Sequence, residues 1–225
     1  MGITEKTASA LFAAASPRRP GPPTTSPMKR TFMSRETLSA MRALDYPFAI
    51  PRRSFVFIGG EARELAEVDV AAPVRPPLLA YGSNAAPEML RRKLGDDPAP
   101  ALLLRAVLRD FDAVYSDHVS AYGAVPATLG ASPGAELPVF VAYMSAAQRE
   151  LIAASEPNYE LRRLRGVECR LEDDGEVLSE LDAYVSRHGH LPGEGGAPLA
   201  LSAIPARGRV LPEVDQAAAQ ALIGE

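Results

Sequence analysis

A four-residue loop, Tyr81-Gly82-Ser83-Asn84, has the residue types and the position to bind a small anion. It follows a short apolar stretch at 78–80 and precedes residues 87–94, whose pattern predicts an amphipathic helix. The first N–H groups of a helix lack partners within the helix and lie at the positive end of its dipole, so such a loop can hold a carboxylate. Gly82 allows a close backbone approach, and Ser83 adds a hydroxyl group. From these residues alone, an ordinary capped turn remains the alternative interpretation.

The same loop resembles the signature loop of the γ-glutamylcyclotransferase-like family, in which Tyr-Gly-Ser-Asn follows the first strand and binds the α-amino-acid end of the substrate. Later in the chains of that family, a strand and a short helix lead to a catalytic glutamate. The corresponding stretch here is an apolar run at 137–143, then 144–155, then Glu156-Pro157-Asn158-Tyr159. The resemblance covers about residues 77–190 and implies that Glu156 is the catalytic residue and that Tyr81, Gly82, Ser83 and Asn84 bind substrate.

The reaction that this resemblance implies is a cyclisation that needs no cofactor. The α-amine of a γ-glutamyl amine or peptide attacks the γ-carbonyl of the same glutamyl group, which closes the lactam 5-oxoproline and releases an amine. One carboxylate near both nitrogen atoms can remove a proton from the ammonium group and return one to the leaving nitrogen. Pro157 disfavours helical angles at Glu156, so we expect the preceding helix to end near Ser155 and Glu156 to project from the turn after it.

Aromatic and histidine residues near these motifs suggest further contacts. Tyr159 and Tyr184 are candidate walls of the substrate pocket; the alternative for each is a packed aromatic ring with its hydroxyl at the surface. His188-Gly189-His190 could hold a metal ion, but no cysteine or acidic cluster of recognisable spacing accompanies it, so a loop is the preferred interpretation. His118 has no partner that the sequence reveals. No metal site is predicted.

The elements around these residues alternate between strands and helices. Predicted strands lie at 102–108, 113–115, 124–129 and 139–143, and Ser145 with Gln148 forms a capping box that begins a helix. Residues 165–171 and 177–185 alternate in polarity around Asp173-Asp174-Gly175, a strong hairpin signal. This order predicts an α+β fold, a small mixed-sheet β-barrel with flanking helices and with N- and C-terminal extensions, and the family resemblance implies the same fold.

Composition divides the chain into four segments. Residues 1–30 are rich in proline and small residues and are predicted to be a disordered leader, with Met28 as an alternative start to Met1. Residues 31–76 form an N-terminal arm with a short helix after Ser34 and a strand at 53–58 that ends at Gly59-Gly60. The resemblance implies that residues 77–190 are a γ-glutamylcyclotransferase-like domain. The apolar C-terminal extension, 191–225 with a helical pattern at 213–223, is predicted to pack on that domain or on a second copy as a homodimer.

Charge and hydropathy exclude several classes of protein. A net charge of −4 and a pI near 5.5 argue against a nucleic-acid partner. No apolar run approaches the roughly 20 residues that span a bilayer, so no membrane partner is predicted. The single cysteine, Cys169, alternates with Val167 and Leu171 on one strand face, which favours core packing and fits a reducing compartment. We therefore predict a cytoplasmic protein whose partner is a small γ-glutamyl molecule.

Two functions from different classes remain open at this level. The first is the cyclising enzyme, and the second is a non-catalytic small-molecule-binding or protein-interaction module on the same fold. The presence of Glu156 favours the enzyme, because a binding module needs no proton-transferring carboxylate, whereas the long extensions favour the module. In the enzyme, Glu156 should face the Tyr81–Asn84 loop across a narrow cavity; a C-terminal segment that filled this cavity would oppose catalysis. The leaving amine stays undetermined.

Overall fold

The computed structural model describes residues 42–68 and 77–223. The leader predicted for 1–30, the choice of start residue and most of the helix predicted after Ser34 lie outside the described residues, as does nearly all of the proline-containing linker at 73–77. Of the N-terminal helix, residues 42–44 are described and are helical.

Besides the helical residues 42–44, the described residues form nine strands and three α-helices. The strands are β1 (Phe55–Ile58), β2 (Glu61–Glu64), β3 (Leu78–Ala80), β4 (Ala101–Tyr115), β5 (Ala127–Tyr143), β6 (Tyr159–Leu171), β7 (Val177–Ser186), β8 (Ala200–Leu201) and β9 (Glu213–Val214). The helices are α1 (Pro87–Leu94), α2 (Ala146–Ala154) and α3 (Gln216–Ile223). Within the described ranges, no helix combines the length and the apolar character needed to cross a membrane.

Five strands close into a barrel. Their order is β4-β5-β3-β7-β6, and a further pairing of β6 with β4 completes the ring. The β3–β7 pair is parallel and the other pairs in the ring are antiparallel, so the sheet is mixed. The β1–β2 hairpin extends the sheet from the edge of β4. The predicted fold class, an α+β mixed-sheet barrel with flanking helices, is confirmed.

The longest strands join segments that the sequence analysis separated. The predicted strands at 102–108 and 113–115 are parts of β4, and those at 124–129 and 139–143 fall mainly within β5. The polar residues between them form a β-bulge between Arg109 and Phe111 rather than a turn. At this bulge Asp110 has a φ of 63° and its side chain accepts a hydrogen bond of 2.7 Å from the Gly134 N–H, so the strand bends without ending.

Local signals placed α1 and α2 correctly. The α2 helix begins with the predicted capping box, in which Ser145 Oγ accepts from the Gln148 N–H at 3.2 Å and Gln148 Oε1 accepts from the Ser145 N–H at 3.0 Å. It ends at Ala154, as the following Glu156-Pro157 pair predicts. The α1 helix starts with Pro87 and stops at Gly95, whose φ of 64° a side chain would disfavour.

Two clusters of buried side chains hold these elements together. One fills the barrel interior and includes Leu79, Leu108, Val141 and Leu181; the other packs α1 and α2 against the outer face of the sheet. Cys169 belongs to the interior cluster, and burial raises the pKa of its thiol to about 12. The prediction that Cys169 is a core residue is confirmed.

The C-terminal extension packs on the barrel. Ala200 of β8 pairs with Val114 of β4, and β9 runs parallel to β8. The prediction of a continuous helix from residue 213 is wrong, since Glu213 and Val214 form β9 and α3 begins at Gln216. Association of two copies through this extension stays a prediction.

Candidate functional site

A cavity of about 330 Å³ opens on one side of the barrel. Its wall is formed by Tyr46, the segment 79–84, α1, the β4–β5 connection at 116–126, the segment 155–159 after α2, and β7. Cavities of this size lie at the lower end of the range for small-molecule sites, about 300–1,000 Å³. The space suits a ligand as small as an amino-acid derivative.

The loop Tyr81–Asn84 forms a tight turn just before the N-terminus of α1. Ser83–Ala85 form one turn of 3₁₀ helix, in which the Ala85 N–H donates to the Gly82 carbonyl at 3.0 Å. A β-carbon added at Gly82 would lie 2.8 Å from Tyr46 Oη, so no larger residue fits here without displacing that side chain. Tyr46 in turn accepts a hydrogen bond of 2.8 Å from the Ala127 N–H. Gly82 is therefore required by its contact with Tyr46.

Two backbone donors of this loop are available to a ligand. Among the hydrogen bonds of the described residues, none is donated by the N–H groups of Ser83 or Asn84. These are the first groups of the 3₁₀ turn, where no earlier carbonyl within the turn can accept from them. Both residues line the cavity and are partly buried. Binding of a carboxylate by these N–H groups stays a prediction.

Glu156 faces this loop from the segment after α2. Its Oε1 accepts a hydrogen bond of 2.9 Å from Asn84 Nδ2 and one of 2.6 Å from Lys93 Nζ. Lys93 Nζ also donates to Asn84 Oδ1 at 2.7 Å, so the three side chains form a closed triangle. The Glu156 and Lys93 side chains are only 12% and 10% exposed. No hydrogen bond among the described residues reaches Oε2 of Glu156, which leaves that oxygen for a ligand.

Lys93 is a site residue that the sequence analysis missed. Lys93 follows Arg91 and Arg92 in the last turn of α1, and such a run of basic residues usually lies in solvent. Its position in the helical repeat indicates otherwise, because Lys93 follows the buried Met89 by four residues and the buried Leu90 by three. That spacing places it on the inner edge of the helix, above the cavity.

Tyrosine side chains form much of the remaining wall. Tyr81 Oη donates to the backbone carbonyl of Tyr184, and Tyr159 Oη donates to that of Ala127 at 2.9 Å. Burial raises the pKa of Tyr46, Tyr81 and Tyr159 far above the usual value, so these phenols stay neutral. The predicted pocket residues Tyr159 and Tyr184 both line the cavity.

His118 also lines the cavity, and the structure supplies the partners that its sequence did not reveal. Its Nδ1 lies 2.6 Å from Ser116 Oγ, and its ring stacks on that of His188 with centroids 4.7 Å apart. The ring of Tyr159 lies at a steep angle to the same imidazole, with the two ring centroids 5.7 Å apart. His188 itself lies in the loop after β7, and its Nε2 is 3.2 Å from Asn158 Oδ1. Residues 187–188 form a turn after β7, and the backbone of His190 pairs with that of Ser116.

The C-terminal extension leaves the cavity open. None of the lining residues in the described part of the chain comes from 191–223. Instead, α3 supports the β4–β5 connection from outside. Gln220 Nε2 donates to the Gly123 carbonyl at 2.7 Å. The Gln216 amide, with its oxygen and nitrogen exchanged, would bond both backbone groups of Val125. Residues 191–223 therefore do not fill the cavity, the arrangement that would have opposed catalysis.

Seven sequence-predicted residues therefore surround one cavity. They are Tyr81, Gly82, Ser83, Asn84, Glu156, Tyr159 and Tyr184. The structure adds Lys93, His118 and Tyr46 to them. Chemically, the site offers two free N–H donors, one oriented carboxylate with a free oxygen, and one imidazole, within a largely aromatic wall.

Comparisons with protein-family models and with curated proteins returned no match. Several solved structures are similar. One is a gamma-glutamyl cyclotransferase, at 20% identity and a TM-score of 0.42, over 55% of this chain and 70% of that chain. An uncharacterized protein from Homo sapiens has 19% identity and a TM-score of 0.41 over 65% and 72% of the two chains. A protein from Arabidopsis thaliana, solved in solution, has 18% identity and a TM-score of 0.40 over 52% and 74%. Because these scores are low, the geometry of the site is the basis for a function.

Proposed function

We propose that this protein is a γ-glutamylcyclotransferase-type enzyme, which converts a γ-glutamyl amine or peptide into 5-oxoproline and a free amine. The observation that carries the proposal is the position of Glu156. Its side chain is partly buried, its Oε1 accepts hydrogen bonds from Lys93 and from Asn84 of the loop, and its Oε2 has no hydrogen bond among the described residues. A base fixed beside an anion site suits a substrate with an α-ammonium and an α-carboxylate on one carbon.

The two charged groups of the substrate have separate partners in this arrangement. The α-carboxylate binds the N–H groups of Ser83 and Asn84, and the α-ammonium lies against Oε2 of Glu156. The neutral tyrosines enclose the glutamyl side chain, so that it folds back and its γ-carbonyl meets the α-nitrogen. Binding thus supplies the proximity on which the cyclisation depends.

Proton transfer through Glu156 then drives the reaction. Oε2 takes a proton from the α-ammonium, the amine that results attacks the γ-carbonyl carbon, and collapse of the tetrahedral intermediate breaks the bond to the leaving nitrogen. Glu156 returns its proton to that nitrogen. Asn84 and Lys93 keep hold of Oε1 throughout, so the reacting oxygen does not turn away.

The direct test is release of 5-oxoproline from γ-glutamyl ethylamide and from γ-glutamyl 4-nitroanilide, measured by chromatography. The control substrate is N-acetyl-γ-glutamyl 4-nitroanilide, whose blocked α-nitrogen cannot attack. We expect 5-oxoproline from the first two substrates and no product from the third. Release of glutamate would indicate a hydrolase, and binding of the ethylamide without any product would favour the binding module.

A prediction follows for Lys93. Replacement of Lys93 by methionine removes the ammonium that bonds Oε1, so the carboxylate loses one of its two orienting contacts; we expect kcat/KM for γ-glutamyl ethylamide to fall by about 10- to 100-fold. The matched control is Arg92→Met, which removes a cation from the exposed face of the same helix. Equal activity in the two variants would show that Lys93 does not orient Glu156.

A further inference from the structure

The proposed reaction requires the transfer of two protons from the attacking nitrogen to the leaving nitrogen. At neutral pH the substrate nitrogen starts as an ammonium and ends as a lactam N–H, so it loses two protons. The leaving nitrogen starts as an amide N–H and ends as an ammonium, so it gains two. One carboxylate can carry one proton at a time. A second proton-transferring group in the cavity would let both transfers occur in a single binding event.

We propose that His118 is this second group, which accepts a proton from the attacking nitrogen and delivers it to the leaving amine. The inference rests on the proposed function and extends it. His118 comes from the β4–β5 connection and lines the same cavity as Glu156. Histidine is the residue type whose ordinary pKa lies close to neutral pH, so its side chain can both accept and return a proton there.

The imidazole of His118 is held in one orientation. Nδ1 lies 2.6 Å from Ser116 Oγ, and that fully buried hydroxyl lies 2.6 Å from Ser186 Oγ. Ser186 is fixed in turn, because its N–H donates to Thr128 Oγ1 at 3.0 Å. Stacking on His188 fixes the ring plane. With Nδ1 engaged, and with no hydrogen bond to Nε2 among the described residues, Nε2 is the nitrogen available to the ligand.

The surroundings also suit reversible protonation of His118. Burial lowers the pKa of its imidazole and the neighbouring His188 lowers it further, which outweighs the opposite effect of the Glu156 and Asp117 carboxylates. The resting ring is therefore neutral and can accept a proton. A serine hydroxyl both donates and accepts, so Ser116 can accept from Nδ1–H while Nε2 presents its lone pair. The imidazolium that forms is then a stronger acid than an ordinary histidine and returns its proton readily.

The atoms balance over this step. Attack forms the bond between the α-nitrogen and the γ-carbon and makes the attacking nitrogen acidic; its second proton passes to Nε2 of His118. As the bond from the γ-carbon to the leaving nitrogen breaks, the same proton passes from Nε2 to that nitrogen. Glu156 carries the first proton along its own route, and both residues end as they began.

Dependence on the leaving group tests this role. A basic alkylamine must be protonated to leave, whereas 4-nitroaniline leaves with far less help. For His118→Gln we expect kcat/KM to fall by about 10²- to 10³-fold with γ-glutamyl ethylamide and by less than about tenfold with γ-glutamyl 4-nitroanilide. His190→Gln, which changes an exposed histidine outside the cavity wall, is the matched control and should behave as the wild type. His118→Asn and thermal unfolding of each variant separate this effect from misfolding.

Each outcome has a distinct meaning. Equal losses with the two substrates, or no loss with either, would overturn the role of His118 and leave the cyclotransferase proposal intact. A wild-type protein that releases 5-oxoproline from neither substrate would overturn both. A loss confined to the ethylamide in both His118 variants, with normal unfolding, would establish the proton transfer.

Discussion

Glu156→Gln is expected to lower 5-oxoproline release by about 10²- to 10⁴-fold, the range that a positioned general acid or base contributes. Glutamine matches glutamate in size, and its Oε1 can still accept from Asn84 and Lys93, which bond that atom in the native protein. It cannot take a proton from the substrate ammonium. The change therefore removes the chemistry while it preserves the shape of the site.

Binding distinguishes this result from a general loss of structure. The substrate carboxylate keeps its contacts with the Tyr81–Asn84 loop, whereas the ammonium loses its charged partner. Calorimetry should therefore show that the affinity for γ-glutamyl ethylamide falls by no more than about 100-fold, or about 2.8 kcal/mol. Glu150→Gln makes the same replacement at an exposed glutamate of α2 and serves as the control. Undiminished turnover in Glu156→Gln would end the proposed role of this carboxylate.

The parts of the fold that depend on local signals could be predicted. The capping box at Ser145, the stop at Gly95 and the hairpin around Asp173-Asp174-Gly175 each rest on residues within a few positions of one another. Backbone preferences of this kind act before tertiary contacts form, so the sequence carries them directly. The boundaries of α1 and α2 and the position of the turn between β6 and β7 follow from them. The start of β6 does not, since the strand begins at Tyr159, six residues before the predicted start at 165.

The parts that depend on distant contacts could not be predicted. Asp112 lies between the two strands predicted at 102–108 and 113–115, yet it is part of β4. Its buried carboxylate is paired there with Arg209, which lies far along the chain. The second strand of the β1–β2 hairpin has four exposed residues and no apolar alternation, so no pattern marked it. In both places tertiary pairing, rather than local preference, decides the structure.

The site divides in the same way. The Tyr81–Asn84 loop and Glu156 belong to sequence motifs. The residues that contact them in the cavity lie in other elements of the chain. His118 and His188 are seventy positions apart and meet only because the β4–β5 connection and the end of β7 lie side by side in the closed barrel. Lys93 meets Glu156 through the packing of α1 beside α2. Helical phase could have identified Lys93, but no sequence signal pairs the two histidines.

The contact of Arg209 with Asp112 should dominate the stability of the C-terminal extension. The guanidinium donates through Nε and Nη2 to the two carboxylate oxygens, each at 2.7 Å, and the side chains are 7% and 0% exposed. Arg209→Met keeps most of the apolar stem but leaves a carboxylate buried without its cation. We expect the free energy of unfolding to fall by about 3–5 kcal/mol, measured by denaturant titration at constant m.

Arg207→Met provides the matched control two residues away. Arg207 pairs with Glu136 through a side chain that is 83% exposed, so its removal should cost less than about 1 kcal/mol. The double replacement Asp112→Leu with Arg209→Met should recover part of the loss, because it removes the buried charge together with its partner. The helix α3 follows Arg209 and supports the β4–β5 connection. Arg209→Met should therefore also lose activity at denaturant concentrations below its unfolding midpoint. Equal effects of Arg207→Met and Arg209→Met on stability would show that burial does not set the strength of this pair.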